Sequence, residues 1–151
     1  MTLNEAFERL GKSKFRSRFK LNATDMAYIE RVGLETIERH ASDFVRDKLA
    51  LAYPLNDGRQ TPMRGHPVFK AMHATATCCR GCMEKWWKVQ KGRALTDLQQ
   101  AKVVNLIMAW IMRGQVCIAS RGKVKKLCIE VISSENTTIA VVFYRALEFN
   151  K

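Results

Sequence analysis

All three prolines of the chain lie between residues 53 and 67, in YPLNDGRQTPMRGHP, together with an Asp57-Gly58 turn and a second glycine, Gly65. Proline lacks the amide hydrogen that a helix needs and clashes with the preceding turn, so no regular element runs through this stretch. The chain is thereby divided around a long loop, and loops of that length in compact domains are often functional. A helix before it should end near Leu51, ahead of Pro54. A helix after it should start at Pro67, capped by His66 or Gly65, with Val68, Phe69 and Met72 facing inward.

The flanking pattern is helical. Thr24 is a plausible N-cap for a short helix with Met26, Ile29 and Val32 on one side, closed by Gly33. Leu34, Ile37, Ala41, Phe44 and Val45 then form the apolar stripe of a longer helix. Thr75 and Thr77 weaken helical continuity, and a further helical stretch is expected from about Cys79 to Val89. Thr96-Asp97-Leu98-Gln99 has the form of a capping box and opens an apolar helix ending at about Arg113. Leu127–Ile132 and Thr137–Phe143 are rich in β-branched residues and flank Ser133-Ser134-Glu135-Asn136, which predicts a β-hairpin.

A length of 151 residues suits one domain. The expected fold is α+β, a mainly helical single domain with a C-terminal β-hairpin. Its parts are a basic N-terminal arm (1–22), a helical Cys/His core (23–113) and a basic linker with the hairpin (114–151). The longest apolar run, Val103–Met112, is far short of the ~18 residues of a membrane span, and the N-terminus has no apolar core of a secretory signal. No membrane association and a cytoplasmic location are the expectations.

Lys and Arg number 26 against 14 Asp and Glu, a formal charge of +12. The excess is concentrated in 12–20, 59–93 and 113–126, whereas 21–50 is net acidic. Lys12, Lys14, Arg16, Arg18 and Lys20 alternate with Ser13, Phe15, Ser17 and Phe19, which in an extended backbone puts five cations on one face. Such an arm could follow a phosphate backbone. Arg59, Arg64, Arg80, Lys85, Lys88, Lys91 and Arg93 surround Trp86 and Trp87, and Arg121, Lys123, Lys125 and Lys126 precede the hairpin. Cations with an exposed indole suit nucleic acid, and Trp86 is the stacking candidate although one of the two indoles must be core. Residues 24–51 evoke a helix-turn-helix, but its second helix carries Glu35, Glu38, Asp43 and Asp47, a poor surface for reading DNA. With no base-reading motif, binding through backbone and shape is expected.

Chemistry concentrates in His66-Pro-Val-Phe-Lys-Ala-Met-His73-Ala-Thr-Ala-Thr-Cys78-Cys79-Arg-Gly-Cys82, which holds three of five cysteines and two of three histidines. An odd cysteine count in a cytosolic chain argues against a disulfide framework. Cys79-x-x-Cys82 has zinc-knuckle spacing, and Cys78 and Cys82 share a helical face. His73, Cys78, Cys79 and Cys82 are the candidate ligands. His66 stands about two turns from His73 and serves either as a cap or as a ligand from the loop. The bland alternative is small thiols packed in a helix interface. A redox dithiol would need a strand before the motif, which is absent, and Glu84 is the only local carboxylate that could orient a catalytic imidazole.

The run from Thr61-Pro-Met-Arg-Gly-His-Pro-Val-Phe through His73-Ala-Thr-Ala-Thr-Cys-Cys-Arg-Gly-Cys82 to Glu84-Lys-Trp86 resembles a small bacterial and phage family known only as a domain of unknown function, over about residues 18–112. The resemblance implies a compact bacterial protein without an established activity. In that family's pattern a histidine commonly follows the Lys-Trp pair, where this chain has Trp87. If that histidine were a ligand, it is lost here.

These features point to a small, basic, zinc-stabilised protein that binds nucleic acid or a nucleoprotein complex. One concrete version is a phage-type accessory or inhibitor of a host defence machine. The alternatives are a metal- or Cys-dependent hydrolase acting on nucleic acid and a structural interaction module. Binding without catalysis is favoured.

Overall fold

A computed structural model describes residues 1–119, with side chains through Gln115. Six α-helices follow one another: α1 Leu3–Gly11, α2 Ala23–Val32, α3 Leu34–Leu49, α4 Pro67–Ala74, α5 Arg80–Trp87 and α6 Asp97–Ala119, with a single 3-10 turn at Arg16–Arg18. No strand occurs among the described residues, so the α+β class is corrected to all-helical. The expected hairpin at 127–143 lies outside them.

Local chemistry explains most boundaries. Thr2 and Glu5 close a reciprocal capping box on α1, and Asn22 and Asp25 close one on α2, so the cap of α2 is Asn22 and not Thr24. Gly33, at φ +83°, turns the chain directly from α2 into α3. The loop that carries the prolines separates α3 from α4, and His66 caps α4 by accepting from the Val68 amide through Nδ1 at 3.1 Å. Thr96 and Gln99 form the expected box on α6, which continues past Arg113.

α3 and α6 form the main interface, α4 packs on α6, and the 3-10 turn lies between α1 and α4. The α3 stripe buries Ile37, Ala41, Val45 and Leu49, and α6 buries Val103, Ile107 and Ile111, in one core where the two helices pack together. Each of the larger side chains contributes about 1.5–3 kcal/mol through burial.

Residues 12–20 are not an extended arm. The Ser17 amide bonds the Ser13 carbonyl at 2.9 Å, a helical turn, and this turn points Arg16 inward while Lys12, Lys14, Arg18 and Lys20 stay exposed. The alternation of charge in the sequence therefore does not report backbone alternation. Phe15 and Phe19, four residues apart, meet edge to face with centroids 5.3 Å apart, the spacing of a turn.

Between α4 and α5 the chain reverses through Thr75-Ala76-Thr77, all three fully buried. Ala76 has φ +59°, a left-handed conformation that costs an alanine about 1–2 kcal/mol. The turn is held because its polar groups are paired: Thr75 Oγ1 donates to Ala71 O at 2.7 Å and lies 3.0 Å from Thr77 Oγ1, while Thr77 N donates to Met72 O at 2.9 Å. This reversal brings the thiols that follow back towards the end of α4.

Candidate metal centre

Cys79 caps α5 with an extended backbone, and its Sγ accepts from the Cys82 amide at 3.3 Å. Cys78 precedes it and reaches Cys82 Sγ at 3.5 Å. The three sulfurs lie within 4.8 Å of one another. Zn–S bonds of ~2.3 Å in a tetrahedron imply sulfur separations of about 3.8 Å, so only small rotamer adjustments separate this arrangement from a ligand set. Three close cysteines could thus bind a metal ion. Both Cys78 and Cys79 are buried, and Cys82 is partly exposed.

Electrostatics separates the three thiols. Contacts from Cys78 and Cys79, and then the Arg16 guanidinium 3.3 Å from Cys82 Sγ, pull the Cys82 thiol far below its ordinary value. Cys78 moves the opposite way, raised by the same sulfur contacts and by burial. The Arg16 guanidinium thus favours ionisation of the Cys82 thiol over that of Cys78. Filling the cluster requires the remaining thiols to ionise, so metal uptake releases protons.

His73 borders this cluster through Arg16, which donates to the His73 carbonyl with one nitrogen and to Cys82 Sγ with the other. The imidazole is 7% exposed and stacks on Phe19, with centroids 5.1 Å apart and 12° between planes. Its Nε2 lies 3.2 Å from the carbonyls of both Thr61 and Pro62. Two acceptors there fix the ring proton on Nε2, leaving Nδ1 as a bare lone pair, and Nδ1 is buried without a hydrogen-bond partner. Burial first, with Arg16 adding to it, lowers the His73 pKa and keeps the ring neutral. A histidine whose second nitrogen is tied to backbone carbonyls is the usual form of a metal-ligating imidazole.

His66 is separated from the thiols. Its Nδ1 is used by the helix cap and its Nε2 lies 3.1 Å from His40 Nδ1 on α3, so both nitrogens are engaged. The cap requires the proton on Nε2, which makes His66 the donor to His40.

Several residues expected to face nucleic acid are internal. Arg80 is 1% exposed and donates to the carbonyls of Leu49, Leu51, Gln90 and Arg93. It ties the end of α3 and the loop after it to the loop after α5. Arg16 is buried at the thiols, and Trp86 lies beneath the guanidiniums of Arg9 and Arg16, each 5.1 Å from its ring centroid. Trp87 is the core indole, and its Nε1 donates to Thr75 O at 2.8 Å. Lys91 pairs with Asp57 at 3.4 Å, and Arg18 covers the Phe15 ring. Lys12, Lys14, Lys20, Arg59, Arg64, Lys85, Lys88 and Arg93 are exposed. Arg121, Lys123, Lys125 and Lys126 lie outside the described residues. Glu84 faces solvent and accepts from the Lys91 amide, away from any role at His73.

Reading by sequence missed Arg16 as the partner of Cys82 and Phe19 as the platform under His73. These contacts span 66 residues in the first case, and no local spacing signals them.

The model of a domain of unknown function, DUF4186, matches residues 4–112. The chain belongs to this family. The DUF4186 match thus runs from α1 into α6 and takes in the thiol cluster, His73 and Arg16. No solved structure matches the chain. Within this DUF4186 chain the indole at position 87 is bonded to the turn between α4 and α5, so the position has a structural task without metal.

Proposed function

We propose that the chain is a zinc-stabilised binding domain in which Cys78, Cys79, Cys82 and Nδ1 of His73 hold the ion. The observation that carries this is the cluster of three sulfurs within 4.8 Å of one another; His73 Nδ1, buried without a hydrogen-bond partner, lies outside that set and would have to move in to complete it. Charge favours a divalent ion. Three thiolates, one divalent cation, a neutral histidine and the Arg16 guanidinium sum to zero, whereas a monovalent soft ion would leave a net negative charge in a buried site. Filled, the site would fasten three parts: the 3-10 turn through Arg16, the proline loop through the Thr61 and Pro62 carbonyls, and the start of α5 through the thiols. Elemental analysis of natively purified protein tests this. One zinc per chain, with thiols protected until a chelator removes it, is expected. Metal-free protein with freely titrating thiols that takes up no zinc on addition sinks it.

On the partner side, the reading is a nucleic acid or nucleoprotein held by backbone contacts. Once buried Arg16 and Arg80 are set aside, exposed Lys12, Lys14, Arg18 and Lys20 remain at one junction. The Arg9 guanidinium bonds Trp86 O there, bringing the end of α1 to the end of α5 with Lys85 and Lys88. Anisotropy with labelled single- and double-stranded oligonucleotides over a salt series checks it. If about four to six cations engage phosphates, affinity falls by orders of magnitude between 50 and 200 mM salt. Absence of binding at low salt removes this half of the proposal and leaves the zinc site standing.

A further inference from the structure

The loop after α3 presents its apolar residues outward. Leu51, Tyr53 and Leu55 are 61%, 83% and 83% exposed, while Ala52 and Pro54 between them are half-buried. The chain bends at 51–53 and turns at Leu55, and three large apolar side chains within these five residues are left in solvent. Leaving them in water forgoes a favourable burial, and a loop free to move would fold them inward. The loop is held instead. Arg80 bonds the carbonyls of Leu49 and Leu51 with one nitrogen and those of Gln90 and Arg93 with the other, and Leu95 N bonds Ala50 O at 2.8 Å. Tyr53 lies against Gly92, where an added Cβ would approach its hydroxyl to 3.3 Å, so the segment and the 90–93 turn form one surface.

The border of this surface is cationic. Arg59 and Arg93 are exposed and make no ion pair among the described residues, while Lys91 beside them is paired with Asp57. Of the two carboxylates beside it, Asp57 is occupied by Lys91 Nζ, the Arg80 amide and Gln60, and Glu84 accepts from the Lys91 amide. We propose that Leu51, Tyr53 and Leu55, bordered by Arg59, Lys91 and Arg93, dock an acidic peptide segment of a partner protein that carries apolar side chains between its carboxylates. A nucleic acid would satisfy the cations but has no counterpart for the two leucines. A second copy of this +12 chain would bring like charge to like charge. An anionic bilayer would have to accept Asn56 and Asp57, which follow Leu55 at the turn. The surface includes none of the thiols, although Arg80, between Cys79 and Cys82, holds it in place, and the proposal does not rest on the zinc reading.

The test uses the full chain and a labelled peptide in which Leu and Phe alternate with Glu, with polyglutamate of equal length, a single-stranded RNA homopolymer and phosphatidylserine vesicles as further probes. Saturable binding of the Leu/Phe/Glu peptide is expected, weakened about tenfold or more by Tyr53→Ser with Leu55→Ser. Arg59→Glu with Arg93→Glu should weaken it similarly and confer binding of a Leu/Phe/Lys peptide. Thermal melts and metal content should match the parent protein, because no changed side chain supports the core or the thiols. The proposal is overturned by no binding of the peptide, by equal affinity for polyglutamate, or by indifference to both double variants. RNA or vesicle binding that is lost in the Tyr53/Leu55 variant overturns it too, as does self-association in sedimentation that the same variant abolishes.

Discussion

α4 carries a histidine at each end, and the two are opposites. At its start, His66 has both ring nitrogens engaged, one by the Val68 amide and one by His40, within a group of rings from Tyr28, Phe44 and Phe69. At its other end, His73 has Nε2 held by two carbonyls and Nδ1 bare. Both fall in one motif and both are plausible ligands by residue type. What separates them is the state of the second nitrogen: a histidine that already caps a helix has no lone pair left for an ion.

The largest expected effect is on the thiols. Cys79→Ser should abolish stoichiometric metal and lower the thermal midpoint more than changes at His73, His66 or Arg16, since binding free energy of a structural ion is also folding free energy. Differential scanning calorimetry with and without added zinc reads it, and an unchanged midpoint would break the metal side of the comparison. Next, His73→Ala should weaken metal by at least about 10–100-fold in a competition titration with a chromophoric chelator. His66→Ala should leave metal affinity unchanged and cost about 1 kcal/mol in urea unfolding through the lost cap. Equal effects of the two on metal would erase the distinction. Arg16→Gln keeps a hydrogen-bonding group but removes the charge beside Cys82, and should weaken metal by about tenfold.

The pH dependence distinguishes the same two ends. Burial, and then His40, pushes the His66 pKa down from 6.5 to about 4. Between those values the unfolded chain binds more protons than the folded one, so the contribution is fully present above pH 6.5 and is lost as pH falls towards 4. For a partly buried group that amounts to roughly 1–3 kcal/mol after solvent screening. Subtracting the unfolding profile of His66→Ala from that of the parent should isolate this slope. A flat difference would show that the His66 ring titrates normally in the folded chain. The smallest effect expected on metal is that of Trp87→His, which places an imidazole after the Lys-Trp pair. The imidazole should inherit the bond to Thr75 O, and metal stoichiometry should stay as it was.

Sequence signals were reliable where a contact is local. The stripe Ile37, Ala41 and Val45, the Thr96 capping box and His66 before Pro67 are each decided within one or two turns of chain, and each is found in place. The thiol cluster was also legible, because Cys78, Cys79 and Cys82 lie within five residues of one another. Failure came where a local period imitated structure. Residues 12–20 alternate like a strand, yet the inward pull of Arg16 towards Cys82 and His73 decides their backbone, and that pull comes from elements 57 and 66 residues away. Arg80 was misread for the same reason. Nothing near it in sequence announces that its acceptors are carbonyls up to 31 residues distant. For α1, the Thr2 and Glu5 box was present in the sequence and was overshadowed by the charge that follows it.

The bonding of Arg80 sets how the protein opens. Its acceptors are four backbone carbonyls and no carboxylate, so no proton taken up by the acceptors at mildly acidic pH releases the guanidinium. The loops at 49–51 and 90–93 are therefore joined by a clasp insensitive to the acid that weakens the His66 end. Local fluctuations cannot open one loop without exposing a buried cation's orphaned partners in the other. Amide hydrogens along both loops, such as that of Leu95 on Ala50 O, should exchange together and only through a cooperative opening of the domain.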